Sequence, residues 1–174
     1  NADFSLSNGS LTVNDSQFES GKFKNSLGEI SFNNSQISSG KINASSGNIT
    51  LSNSQFASGE IANSLGEVNL NSSKISDSTL KISSGSLNSE QLELAGTISI
   101  TDQLGDINLN LVSGSLSQLS FDLKTDLGEI DIPSGMNVEH TKGDDVSDSA
   151  IRKVENPTTT LTASAQSGSI KLSE

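Results

Sequence analysis

Two acidic side chains at matching positions of a sequence repeat are the first candidates for chemistry. Glu29 and Glu67 occupy the same position in alternate units of a 19-residue pattern, with Asn48 between them. If the units stack as strands at about 4.8 Å, the two carboxyl groups lie about 10 Å apart. That separation is near the upper limit for an inverting glycosidase. Because the position alternates with apolar residues and the chain has no Trp or Tyr for sugar stacking, we interpret it as a solvated strand face.

A second group of titratable residues lies near the C-terminus, beside the only histidine, His140. Carboxylates at this density could bind calcium. Their spacing matches neither an EF-hand loop nor a calcium-binding nonapeptide. A single histidine without a Gly-x-Ser-x-Gly phrase is weak support for a catalytic triad. We therefore predict no catalytic, metal-binding or cofactor-binding residue. The acidic residues concerned are Glu139, Asp144, Asp145, Asp148 and Glu155.

Two further features of the sequence exclude other kinds of site. Gly21-Lys22 and Gly40-Lys41 lack the glycine spacing and the following Ser or Thr of a phosphate-binding loop. The chain has no cysteine, which excludes disulfides, thiolate metal sites and a cysteine nucleophile.

Composition narrows the classes of partner. The formal net charge is −11, so a basic face for nucleic acid is not expected. No apolar run approaches the roughly 20 residues that cross a bilayer, so we expect no direct membrane insertion by this segment. Only 31% of the residues are hydrophobic. This content suits a solenoid, in which each coil covers its neighbours, better than a globule with one thick core.

The elements that must position these residues are set by a glycine repeat. The first four of the repeated glycines open the phrase glycine, any residue, aliphatic, any residue, apolar, as in Gly47-Asn-Ile-Thr-Leu51. A fixed period near 20 residues with strand-like alternation is typical of solenoids. The repeated glycines, 19 residues apart, are Gly9, Gly28, Gly47, Gly66 and Gly85.

Alignment of the units predicts four apolar columns. Two of them are two residues apart and therefore point to one side of a strand. The intervening residues, such as Ser31, Thr50 and Asn69, should face solvent. The columns are Leu11, Ile30, Ile49, Val68, Leu87; Val13, Phe32, Leu51, Leu70, ending at Ser89; Phe18, Ile37, Phe56, Ile75, Leu94; and Phe23, Ile42, Ile61, Leu80, Ile98.

We predict an all-β, single-domain parallel β-helix over residues 1–174, with ~19-residue coils and right-handed crossovers. Residues 1–132 form regular to semi-regular coils. Residues 133–157 contain both prolines and break the pattern, so we expect an irregular loop or cap segment there. Residues 158–174 return to the repeat as closing strands.

The phrase Ser-x-Gly-x-Ile-x-Leu resembles a bacterial family, named for adhesins, of β-strand-repeat domains of unknown function. It occurs as Ser45-Ser-Gly-Asn-Ile-Thr-Leu51, and the C-terminal Leu161-Thr-Ala-Ser-Ala-Gln-Ser-Gly-Ser-Ile-Lys-Leu172 is similar to the family's closing strand pair. The resemblance implies a parallel β-solenoid displayed at the cell surface or in the bacterial envelope. Because Asn1 already lies inside the repeat, we expect any anchor to lie outside these residues.

The resulting functional hypothesis is a non-catalytic, adhesin-like interaction module. Its partner would be a protein or a cell-envelope polymer, met by one strand face or by residues 133–157. An end-to-end homodimer is expected if the Asn1 end is an uncapped strand edge. The alternatives are a carbohydrate-active β-helix enzyme, a passive structural spacer, and an ice-binding solenoid, for which no regular threonine array is present.

Overall fold

The computed structural model describes residues 1–143 and 146–174, which form a single all-β parallel solenoid. Two sheets of 13 and eight strands face each other across the core. A 3-10 helix, Ser115–Gln118, precedes β16. The strands are β1 (Ala2–Leu6), β2 (Leu11–Asn14), β3 (Gln17–Phe18), β4 (Gly21–Asn25), β5 (Ile30–Asn33), β6 (Gln36–Ile37), β7 (Gly40–Ala44), β8 (Ile49–Ser52), β9 (Gln55–Ala57), β10 (Gly59–Asn63), β11 (Val68–Asn71), β12 (Lys74–Ile82), β13 (Leu87–Glu90), β14 (Glu93–Leu104), β15 (Ile107–Asn110), β16 (Leu119–Leu127), β17 (Ile130–Asp131), β18 (Glu139–Lys142), β19 (Asp148–Arg152), β20 (Thr159–Ser167) and β21 (Ile170–Ser173).

Alternation of apolar and polar residues makes each coil wrap around the core. In β5, Ile30 and Phe32 are fully buried, whereas Ser31 between them points outward. Successive side chains of a strand face opposite sides, so this sequence can bury only one face. The predicted solvent-facing positions Ser31, Thr50 and Asn69 lie on the outer face, as expected.

One corner of each early coil depends on a residue with left-handed backbone followed by a buried serine. Asn53, at φ 48°, is typical of this corner, and Asn, Asp and Ser tolerate such a conformation. The next residue, Ser54, donates from its hydroxyl to the backbone oxygen of Ser52 (2.8 Å) and accepts from the backbone N–H of Ser35 (3.0 Å). The serines thus join neighbouring coils as well as closing their own turn.

The predicted columns stack in register, with one error. Leu80 pairs with Ile100, and Ile98 pairs with Ser78, so the fifth member of the fourth column is Ile100 and not Ile98. The reason is a register shift between Ser76 and Ser78, where β14 carries one extra residue. Such a bulge cannot be distinguished from the unbroken repeat by the apolar pattern alone, because both isoleucines suit a buried strand position.

The coils do not stack in chain order. We number the layers from the N-terminal end by their strands in the eight-stranded sheet, β2, β5, β8, β11, β13, β15, β21 and β17. The last coil of the chain, β20–β21, is therefore layer 7. It lies between β14–β15 (layer 6) and β16–β17 (layer 8), and β20 pairs in parallel with both β14 and β16.

A two-layer alternation inside the core explains this order. In even layers the residue three positions before the corner glycine is polar, and in layers 2, 4 and 8 its side chain donates to a glycine carbonyl in the layer below. Asn25 Nδ2 donates to Gly9 O (2.6 Å), and Thr125 Oγ1 donates to Gly168 O (2.7 Å). Stacking layer 8 directly on layer 6 would place two polar inner residues side by side. The inner residues of layers 1 to 8 are Leu6, Asn25, Ala44, Asn63, Ile82, Asp102, Ala165 and Thr125.

The two ends of the solenoid differ. Beyond layer 8, β19 pairs antiparallel with β16, and β18 pairs antiparallel with β19, so residues 133–157 contain two strands. Ile132, Met136 and Val138 pack against the core at this end. At the N-terminal end β1 and β2 are edge strands, and Phe4 is 42% exposed while stacked on Phe23.

Candidate functional site

The outer face of the eight-stranded sheet carries two long columns of hydroxyl and amide side chains. Parallel pairing keeps them in register, because each coil repeats the same alternation of buried and outward residues. One column runs through Thr12, Ser31, Thr50, Asn69, Asn88, Asn108 and Lys171, and the other through Asn14, Asn33, Ser52, Asn71 and Glu90.

Hydrogen bonds between layers fix the orientation of several of these amides. Asn33 Nδ2 donates to Asn14 Oδ1 (2.9 Å), and Asn108 Nδ2 donates to Asn88 Oδ1 (3.0 Å). Each such bond leaves further donor and acceptor capacity on the same amide group. The result is a surface with oriented amides that can hydrogen-bond to a ligand lying along it.

A shallow depression of about 420 Å³ lies at the middle of this face. We call it the amide depression. Its lining combines amides, a hydroxyl and one carboxylate, which suits a hydroxyl-rich ligand better than an apolar one. Its residues are Asn69, Asn71, Asn88, Ser89, Glu90 and Asn108.

The carboxylates Glu29 and Glu67, considered above for glycoside hydrolysis, are both exposed at a corner of the coil. Glu29 Oε1 accepts a hydrogen bond from Thr50 Oγ1 (3.4 Å), and Glu67 N donates to Asn48 Oδ1 (2.9 Å). This arrangement is that of a solvated corner.

His140 and Asp148 are brought together at the capped end. His140 Nε2 lies 2.7 Å from Asp148 Oδ1, and the backbone N–H of Ile130 donates to Asp148 Oδ2 (3.0 Å). Asp148 is thereby buried and joins the edge of β17 to the cap. Glu139 and Glu155 are exposed, and Asp144 and Asp145 lie outside the described residues. Within residues 1–143 and 146–174, no three His, Asp or Glu side chains are arranged to hold a metal ion.

The Gly-Lys pairs line a depression of about 560 Å³ on the 13-stranded sheet near the open end. Next to it, Glu60 forms ion pairs with Lys81 (2.7 Å) and Lys41 (3.0 Å). Hydrogen bonds first from Lys81 and then from Lys41 hold the pKa of Glu60 below its usual value. Lys41 is therefore engaged in an ion-pair network on a sheet face.

Asp102 is a candidate functional residue that the sequence repeat did not predict. It is the inner residue of layer 6, where Asn25 and Asn63 stand in layers 2 and 4, and it is 2% exposed. Among the described residues, neither carboxyl oxygen makes a hydrogen bond of normal geometry. Burial raises the pKa of Asp102 to about 6; the backbone N–H of Leu104 opposes this rise, and the nearby Asp106 charge adds to it. Its signal in the sequence is its place three residues before Gly105.

No helix in the part of the chain that the structure describes is long and apolar enough to cross a bilayer.

Comparison with known proteins gives one result. The sequence profile of the family described as Toastrack DUF4097 matches residues 2–173. No curated protein and no solved structure matches the chain. The match covers the whole stack of layers, including the C-terminal coil that lies between layers 6 and 8. The chain therefore belongs to the Toastrack DUF4097 family.

Proposed function

We propose that this chain is a non-catalytic, adhesin-like interaction module of a bacterial cell surface or envelope. The observation that carries the proposal is the register of the amide and hydroxyl columns on the eight-stranded sheet. In these columns, oriented polar groups of neighbouring layers lie about 4.8 Å apart, which is the distance between paired strands. The display of this face would depend on an anchor elsewhere in the protein.

The favoured partner is an uncharged, hydroxyl-rich polymer of the envelope. Amide groups both donate to and accept from hydroxyls. The net charge of −11 repels polyanions, which disfavours anionic polymers and nucleic acid. The chain has no Trp or Tyr to stack on sugar rings, so affinity would come from many weak contacts along several layers.

Binding of purified envelope polysaccharide to the full chain tests this proposal. The variant Asn69→Ala with Asn71→Ala removes two amides of the amide depression. The matched control, Asn43→Ala with Ser64→Ala, removes two exposed polar groups elsewhere on the coils. We expect the first variant to lose at least about 10-fold in affinity and the control to keep it, because hydrogen-bonding groups at a site contribute about 1 kcal/mol each.

Other outcomes would support different functions. Equal binding by both variants would indicate that the binding site does not lie on the eight-stranded sheet. Release of reducing ends from the polysaccharide would overturn the non-catalytic assignment. Absence of binding to polymers and to envelope proteins would favour a passive spacer, a role that a stiff stack of hydrogen-bonded layers also suits.

We further propose that the open N-terminal end supports end-to-end association. Its motivation is the pair of edge strands β1 and β2 together with the exposed ring of Phe4. Unpaired strand edges are ready-made pairing surfaces. A Phe4→Ser variant that associates as strongly as the parent chain would contradict this role.

A further inference from the structure

A row of exposed leucines follows the glycine corner of the solenoid. Leu27, Leu65, Leu104 and Leu127 each immediately precede a corner glycine, and they are 53%, 55%, 59% and 54% exposed. Of the described residues, only Phe4 and Val146 are other large apolar side chains with comparable exposure. The solenoid core does not require these four leucines, because their side chains point away from it.

The leucines occupy every second layer. The corner residues hydrogen-bond from layer to layer through the following glycine, so their order in space is known. Leucine stands in layers 2, 4, 6 and 8, about 9–10 Å apart. Serine or asparagine stands in the layers between. In layers 1 to 8 the residues are Asn8, Leu27, Ser46, Leu65, Ser84, Leu104, Ser167 and Leu127.

This alternation exists in space and not along the chain. In chain order Leu104 is followed by Leu127, and two leucine coils would adjoin. The C-terminal coil places Ser167 between them, since Gly105 N donates to Ser167 O (2.9 Å) and Gly168 N donates to Leu127 O (2.8 Å). We call this edge the leucine ridge.

Charge alternates with the same period. The residue after each corner glycine is acidic in the leucine layers and uncharged in the others. In layers 2, 4, 6 and 8 it is Glu29, Glu67, Asp106 and Glu129, and in layers 1, 3, 5 and 7 it is Ser10, Asn48, Ser86 and Ser169. Along the ridge, each layer with a leucine and a carboxylate therefore alternates with a layer that has two small uncharged polar residues. This two-layer unit occurs four times.

We propose that the leucine ridge is a self-association surface, and that two copies of this chain pack side by side and antiparallel along it. When layer 1 of each copy is aligned with layer 8 of the other, layer 2 lies opposite layer 7 and layer 4 lies opposite layer 5. Val146, which is 67% exposed, continues the row beyond Leu127, since Gly128 N donates to its carbonyl oxygen (3.2 Å), and it lies outside this overlap. Every leucine then meets a serine or asparagine, and every carboxylate meets an uncharged residue. A two-fold interface of this kind is self-complementary.

The parallel arrangement lacks this complementarity. Equal layers would face each other, so Leu65 would meet Leu65 and Glu67 would meet Glu67 across the interface. Each leucine would then face another leucine, with no smaller side chain opposite to make room for it. Facing carboxylates would also repel each other. Eight leucines, each more than half exposed in the single chain, would form the apolar centre of the antiparallel dimer.

Sedimentation velocity on the full chain over a concentration series is the first test. We expect a reversible dimer. The variant with serine at all four positions, Leu27→Ser, Leu65→Ser, Leu104→Ser and Leu127→Ser, should fold, because serine already occupies the corner in layers 3, 5 and 7. We expect its dimer dissociation constant to rise at least about 100-fold. Phe4→Ser is the control that removes end-to-end contacts, and the side-by-side dimer should survive it.

Disulfide trapping tests the register independently, since the chain has no cysteine of its own. Mixing a Leu27→Cys chain with a Ser167→Cys chain should give covalent heterodimers, because layers 2 and 7 face each other. Leu27→Cys mixed with Ser46→Cys should give none above background. A chain that stays monomeric at every concentration would overturn the proposal. Preferential trapping of the Leu27–Ser46 pair would overturn the antiparallel register.

Discussion

At the N-terminal end of the solenoid, layers 1 to 6 follow one another in chain order, and the first layer leaves its strand edges open. At the C-terminal end the chain builds layer 8 first, forms the antiparallel strands β18 and β19, and then returns to fill layer 7. Both regions use the same glycine phrase and the same strand register. They differ in whether neighbours in space are neighbours in sequence.

This difference shows that layer type, and not chain order, determines stacking. The C-terminal coil carries Ala165 inside and Ser167 at the corner, the features of an odd layer. The coils on either side of it carry Asp102 and Thr125 inside, the features of even layers. Placing β20–β21 between them keeps polar and apolar inner residues alternating from one end of the stack to the other.

The largest expected effect comes from adding a methyl group to a corner glycine in each region. A Cβ at Gly47 would lie 2.2 Å from Gly28 O, and one at Gly168 would lie 1.9 Å from Gly105 O; both residues have positive φ. We expect Gly47→Ala and Gly168→Ala each to lower the free energy of unfolding by about 3–5 kcal/mol, because backbone strain adds to a clash with the layer below. Urea denaturation measures both.

Gly9→Ala is the matched control, since its φ is +101° but nothing lies within 4 Å of the added Cβ. Gly9→Ala should lower the free energy of unfolding only by the backbone strain, about 1–2 kcal/mol. If Gly168→Ala cost no more than Gly9→Ala, the C-terminal coil would not lie inside the stack, and the contrast between the two regions would disappear.

The next largest effect concerns Asp102, which stands where Asn25 and Asn63 stand in the N-terminal layers. Its pKa is raised from 3.8 to about 6, which corresponds to about 3 kcal/mol of differential interaction. Because the folded-state pKa of Asp102 is raised, its protonated form favours the folded state. Its contribution to the free energy of unfolding is complete below about pH 4 and is lost as the pH rises through 6.

We therefore expect Asp102→Asn to raise the free energy of unfolding at pH 7 by up to about 3 kcal/mol. The amide can donate to a glycine carbonyl as Asn25 does. At pH 4 the gain should be much smaller, because Asp102 is then largely protonated in the folded state. Unfolding curves across pH 3.5–7.5 measure this, and a gain independent of pH would rule out titration of Asp102 as its cause.

A smaller effect is expected at Thr125, which links layer 8 to layer 7 through its hydrogen bond to Gly168 O (2.7 Å). Thr125→Val keeps the shape and removes the hydroxyl, so we expect a loss of about 1 kcal/mol. The equivalent change in the N-terminal region is Asn63→Leu, which removes the bond to Gly47 O (3.0 Å). A neutral Thr125→Val would show that layer 8 does not depend on this bond.

The smallest effect is expected at the ion pair between Lys171 of layer 7 and Asp131 of layer 8, whose atoms are 3.4 Å apart and whose side chains are more than half exposed. Lys171→Ala should change the free energy of unfolding by no more than about 0.5 kcal/mol, since exposed pairs contribute little and salt screens them. Thermal unfolding at low and high salt measures it. A loss of several kcal/mol would mean that charge, rather than the inner residues, orders the last two layers.

Most of each coil could be predicted from particular residues. The pair Ile30 and Phe32 predicted a buried strand face, and Ser31 between them predicted a solvent-facing position. The extra residue beside Ser78 could not be predicted, because the bulge it causes leaves isoleucines at both candidate positions. The sequence predicted that positions such as Asn69 face solvent, but it did not predict the amide depression. Its depth and its hydrogen bonds depend on how neighbouring layers meet. The handedness of the coil stays a prediction.

What the sequence by itself determined is the single coil: a 19-residue phrase that combines a repeated glycine with alternating apolar side chains on one strand face. What only the tertiary structure decided is which coil lies on which. Parallel backbone pairing is nearly the same for every pair of coils, so the phrase cannot choose between neighbours. That choice rests on contacts between distant residues, such as Thr125 with Gly168 O, and these contacts exist only once both coils are folded. The same choice brings Ser167 between Leu104 and Leu127 and completes the leucine ridge.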